Sequence, residues 1–168
     1  MRAGVFFVGM ALVLALPTAA RAQDTRAADM LKDKGFKKCA DTSTAITSFV
    51  YEKETFAFLN LWNQSDPDRH AAITLATKTF PDVGPTFTTI TAVPNAAGTC
   101  DGTFTYILVS ESACAVLRET VFKAWKYFGD INGTPIFEDP TSANVVVTLA
   151  QMKSVCLVAK SGSLFFDK

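Results

Sequence analysis

The sequence predicts an α+β domain over residues 23–168: a single, mainly antiparallel sheet with two or three helices packed on one face, stapled by two disulfides. Three observations carry that expectation. Many short apolar stretches are bounded by Gly, Pro, Asn and Asp, the punctuation of strands. Only two or three stretches show helical spacing, so strands follow one another with few crossovers, and such chains pair antiparallel. All four cysteines, Cys39, Cys100, Cys114 and Cys156, lie beyond residue 22, an even count in a chain with an export leader.

The leader comes first. Met1-Arg2-Ala3-Gly4 carries one positive side chain, residues 5–16 (VFFVGMALVLAL) are uncharged and apolar, Pro17 breaks the run, and Ala20-Arg21-Ala22 is a small-x-small cleavage pattern. Cleavage is expected after Ala22, leaving Gln23 as the first residue. The apolar run falls short of the roughly 20 residues a membrane-spanning helix needs, which disfavours a retained anchor. A lipoprotein is not expected, because no Cys sits at the cleavage point. The mature chain is expected to be soluble and to work in the periplasm or outside the cell, with a leader of bacterial style.

Sixteen basic and sixteen acidic residues balance in the full chain. Losing Arg2 and Arg21 with the leader takes the mature part to a formal charge near −2. Nucleic acid is excluded as a partner, because it wants a basic patch that releases counterions. A polybasic membrane surface is excluded on the same ground. Lys37-Lys38, the only adjacent basic couple, reads as a solvated loop.

Residues 25–34 read as a short helix, with Ala28, Leu31 and Met30 on its apolar side and Gly35-Phe36 as a left-handed cap. Residues 41–51 place Ala45, Ile46, Phe49 and Val50 at helical spacing, although their Thr, Ile and Val content also suits a strand. Residues 56–62, 70–79, 86–93 and 103–109 read as strands. The polar, Pro-containing stretches 63–69, 81–85 and 94–101 read as turns between them. Ser110-Glu111-Ser112 opens the clearest helix, with Ser110 as its cap and Cys114, Leu117, Val121 and Trp125 on one side. Asn132-Gly133 signals a type I′ hairpin joining 127–131 to 134–138. The strands 144–149 and 154–159 follow, then a turn at 160–163 and a short end strand at 164–166.

The strand after Cys100 carries the chain about 3.3 Å per residue away, and a helix returns only about 1.5 Å per residue by Cys114. That exceeds the roughly 7 Å between Cα atoms that a bridge tolerates. Cys39–Cys100 with Cys114–Cys156 is therefore the preferred pairing. Zinc is the competing reading, but it wants close ligand pairs, and none of the cysteines is near another or near His70.

Four patterns invite chemistry. Asp66-Pro67-Asp68-Arg69-His70 sets two carboxylates beside the only histidine, so His70 oriented by Asp66 or Asp68 is a weak catalytic candidate as a general base. A polar loop entering a strand is the simpler account. Lys160-Ser161-Gly162 resembles the K-T-G element of penicillin-binding enzymes, which also need a Ser-x-x-Lys nucleophile absent here; a hairpin turn is expected. Asp130-Ile131-Asn132-Gly133 with Asp139, laid on a calcium loop, puts Phe128 where the first carboxylate belongs, so the hairpin explains it better. Finally, Tyr127-Phe128 and Phe165-Phe166 are adjacent aromatic pairs. Burial on both sides is the expected outcome, and an outward binding patch the alternative. Asn63-Gln64-Ser65 and Asn132-Gly133-Thr134 are glycosylation sequons that matter only in a eukaryotic source.

Together these readings point to a small exported non-catalytic binding, accessory or inhibitor-type domain. The expected partner is a protein or envelope component, with no cofactor and no metal. An envelope hydrolase using His70 and a structural envelope protein are the alternatives.

Overall fold

The computed structural model describes residues 27–51, 56–81 and 84–165. The leader, its cleavage point and Phe166 lie outside the described residues. Two helices come first, α1 (Ala27–Asp33) and α2 (Ala40–Tyr51). Four strands follow: β1 (Ala57–Leu61), β2 (Ala72–Phe80), β3 (Gly84–Pro94) and β4 (Cys100–Ser110), with a 3₁₀ turn at Pro67–Arg69 between β1 and β2. A third helix, α3 (Cys114–Thr120), leads to β5 (Lys126–Ile131), β6 (Thr134–Glu138), β7 (Val145–Met152) and β8 (Val155–Leu164). The strands form one antiparallel sheet in the order β1-β2-β3-β4-β8-β7-β6-β5. Each half is a meander. After α3 the chain restarts at the far edge and works inward until β8 closes on β4.

The result is a single domain, more sheet-rich than the expectation of two or three helices over a sheet. Register sorts the side chains. On the inner face, Ile90 stands opposite Phe104, Phe104 opposite Gly162, and Gly162 opposite Val145. On the outer face, Leu59 stands opposite Leu75, Phe87 opposite Ile107, and Ile107 opposite Ala159. The disulfides join Cys39 to Cys100 and Cys114 to Cys156, with Cα separations of 5.3 and 4.9 Å.

The 41–51 stretch is helical despite its β-branched content, because tertiary packing outweighs propensity there. Thr42, Ser43, Ile46 and Thr47 are buried on the sheet side. The Thr44 and Thr47 hydroxyls donate to the carbonyls of Ala40 and Ser43, and Thr42 donates to the carbonyl of Cys100. The bonds from Thr42 and Thr47 satisfy buried hydroxyls, and none of the three breaks the helix. Gly102 lets α2 come this close: a Cβ there would run into Ile46 and Thr42. Asn60, buried on β1, donates to the carbonyl of Ala27 (2.8 Å) and accepts from the Thr74 hydroxyl (2.7 Å), fastening α1 to the sheet.

Four expectations are corrected. Lys160-Ser161-Gly162 is not a turn: it lies inside β8, paired with β4 and β7. Gly162 serves close packing, since a Cβ would stand 2.5 Å from the Phe104 ring. The third helix ends at Thr120 and not at Trp125, because the Arg118 guanidinium takes the Phe122 and Lys123 carbonyls and the Phe122 amide returns to Leu117. Its cap is not Ser110, which ends β4; the Cys114 amide instead donates to the Gln151 side chain on β7 at 2.8 Å. Lastly, Tyr127 and Phe128 are not buried on both sides. They are 56% and 67% exposed, at a bulge in β5 where the register shifts.

Candidate functional site

The helices leave part of the inner face open. α2 packs through Ile46 on Ile90 and Phe104, while α3 is tied by its first residue, Cys114, to Cys156. Near α3, beside the end of β4 and the start of β8, is a groove of about 860 Å³. Leu108 and Val158, paired in register, are at its floor, and Leu117, Val121 and Phe122 come from α3 and the turn after it. Pro81, Gly84 and Pro85 line the β3 end, and Ser110, Glu111 and Ser112 give it a short polar rim. Among the described residues Glu111 is the one charged residue in this lining.

Phe122 meets Trp125 edge-on at 5.2 Å between ring centroids. On the inner face beyond that pair stands Lys160, in register between Tyr106 on β4 and Val147 on β7. Its ammonium lies 5.2 Å from the Phe49 ring, 5.4 Å from Trp125 and 3.5 Å from the Asp139 carboxylate. Burial alone would raise the Asp139 carboxyl, but the Thr141 hydroxyl and amide, followed by Lys160, hold it below its ordinary range. Lys160 thus clamps α2, the turn after α3 and the β6–β7 connection to one another. Its charge is engaged inside the fold.

Two tyrosines continue this inner face. Tyr51 donates to the Thr88 hydroxyl at 2.7 Å, and Tyr106 pairs with Thr86. Burial raises both phenols above their ordinary value, against the lowering effect of those bonds.

The residues singled out in the sequence sit elsewhere. Asp66, Asp68 and His70 are at the 3₁₀ turn between β1 and β2. Asp68 accepts from the Lys37 and Lys38 amides at 2.6 and 2.9 Å, pinning the chain just before Cys39. Asp66 pairs with Arg69 at 3.6 Å. His70 is exposed, and no hydrogen bond joins its ring to either carboxylate among the described residues. Asp130 accepts from the Gly133 amide of its hairpin, and Asp139 faces Lys160. Among the described residues no group of three His, Cys, Asp or Glu side chains is arranged to hold a metal ion, and all four cysteines are in bridges.

Sequence reasoning placed Leu117 and Val121 on the buried side of a longer helix and did not find the groove. For the inward Lys160, which does not line the groove, one signal was present. Lys160 falls at an inward position of the alternation Cys156, Val158, Lys160, Gly162, where an apolar residue belongs. Compared with known proteins, the chain matches no family model, no curated protein and no solved structure.

Proposed function

We propose that this chain is an exported, non-catalytic binding domain whose ligand occupies the groove beside α3. The groove itself supports the reading. Its volume of about 860 Å³ falls within the roughly 300–1,000 Å³ of small-molecule sites, which pair an apolar lining with a few polar groups. Leu108, Leu117, Phe122 and Val158 suit an apolar body, and the rim at Ser110–Ser112 suits a neutral or cationic polar end beside Glu111. Two disulfides fit an oxidising compartment.

The test is a titration of the disulfide-intact exported protein with the neutral, environment-sensitive dye N-phenyl-1-naphthylamine. Saturable one-to-one binding, abolished by Leu117→Asp with circular dichroism unchanged, is the expected result. No saturable binding, or binding indifferent to Leu117→Asp, would reject the groove as the site. His70→Ala should leave the titration unchanged.

A further inference from the structure

The outer face of the sheet carries a different message. Its residues alternate with the inner ones, and among the described residues no helix packs on it. Leu59, Leu61, Leu75, Phe87 and Val109 are 40–62% exposed there. Register makes them neighbours: Leu59 faces Leu75, Leu61 faces Ile73, and Phe87 faces both Thr77 and Ile107. Most of the remaining outward positions on β2, β3 and β4 are threonines. Across β1–β4, β8 and β7 the face presents one charged side chain, Asp101, near the end of β4, and no lysine or arginine.

We propose that this face docks a second copy of the chain, sheet against sheet. Six strands about 4.8 Å apart, each crossing about 25 Å, give a plan area of about 700 Å². Two copies would then bury about 1,400 Å², inside the roughly 1,200–2,000 Å² of a stable specific interface. Exposed apolar side chains that are neighbours in register, as Leu59, Leu75 and Phe87 are here, mark interaction surfaces. The missing charge selects the partner. In a two-fold contact each residue near the axis meets its own copy, so a charge there would face a like charge; Asp101 stands at one end of β4, away from the middle of the face. An anionic membrane would want a cluster of basic residues at the rim, whereas Lys126 on β5 stands opposite Glu138 in register and Lys153 is a single charge in the β7–β8 turn. Sheets packed in this way cross at about 30° with their side chains interlocked, and leucines separated by threonines provide both knobs and gaps.

The experiment is analytical ultracentrifugation of the disulfide-intact exported protein from about 1 to 200 µM, alongside Leu75→Lys and Phe87→Lys. The wild type should sediment at twice the chain mass at the upper concentrations. Each variant should sediment at the chain mass with circular dichroism and disulfide content unchanged. A wild type that stays monomeric throughout overturns the proposal, whether a further segment of the chain or another molecule covers the face. So does a dimer that both variants leave intact but Phe128→Lys dissolves, since the exposed β5 edge would then be the contact. Val109 borders both surfaces, but Leu75 and Phe87 do not line the groove and Leu117 is not on this face, so the two proposals fail separately.

Discussion

The two halves of the sheet are covered in different ways. Over β1–β4, α1 and α2 are packed down on the inner face, and Leu31, Phe36, Ile46, Tyr51 and Phe56 are at most 2% exposed. Over β5–β8, α3 buries only Cys114 of its seven residues, and β5 buries none. The bridges show the same contrast. Cys39–Cys100 sits in a cluster with Leu31, Phe36, Ala72 and Ala92. Cys114–Cys156 sits in a buried cluster of its own with Phe137, Val147, Leu149 and Val158, but Leu117 and Phe122 beside it are only partly buried. A bridge can therefore anchor a helix over a sheet without filling the space next to it. The first half is sealed, and the second keeps an open groove beside α3.

Removing the bridges should separate the halves most strongly. Replacing Cys39 and Cys100 with Ala opens a loop of 61 residues, which in the chain-entropy account costs about 4 kcal/mol, read as a uniform loss of unfolding free energy in urea. Replacing Cys114 and Cys156 removes a similar constraint over 42 residues but should act locally. Amide exchange across Cys114–Thr120 should approach that of a frayed helix while β2 and β3 stay protected, and dye binding should disappear. An even rise in exchange across the whole sheet would show that the halves are not distinct.

Asn60→Ala strands the Ala27 carbonyl and the Thr74 hydroxyl inside the sealed half, at a cost of about 2 kcal/mol by thermal or urea unfolding. A glycine pair sharpens the contrast further. Gly102→Ala forces Ile46 and Thr42 off the sheet and should cost about 1–3 kcal/mol. Gly129→Ala in β5 meets nothing within 4 Å and should leave stability within about 0.5 kcal/mol of wild type. Equal costs at the two sites would mean that both halves are equally packed.

The smallest effect concerns acid. The Asp139 carboxyl titrates below its ordinary 3.8 in the folded chain. A lowered folded pKa gives stability that is complete above the unfolded value and is lost as the pH falls through the folded one. Stability should therefore decline on acidification below about pH 3.8. Asp139→Asn should flatten that decline and cost about 1 kcal/mol near neutrality, measured by urea unfolding at several pH values.

Much of the scaffold was legible in the sequence. The alternation in residues 103–109, the Asn132-Gly133 turn with φ of 52° and 78°, and the reach of the strand after Cys100 are all local or one-dimensional signals. The ambiguity at 41–51 resolved to helix because Gly102, more than fifty residues away, makes room for it. Gly162 misled for the matching reason: it reads as a turn glycine, yet its role is to pass under the Phe104 ring of a neighbouring strand. Ser110 looked like a helix cap, whereas Gln151 on β7 supplies one. The groove was illegible because it is defined by where α3 stops and by what α2 leaves uncovered. Neither is written in the spacing of Leu117, Val121 and Trp125.

The most direct measurement is an amide-resolved NMR titration of the disulfide-intact protein with N-phenyl-1-naphthylamine. Shifts concentrated at Leu108, Leu117, Val121, Phe122 and Val158, with the amides of α1, α2 and β2 unmoved, are the expected result. Shifts centred on the sealed half, or none at saturating dye, would contradict the division of the molecule into scaffold and binding site.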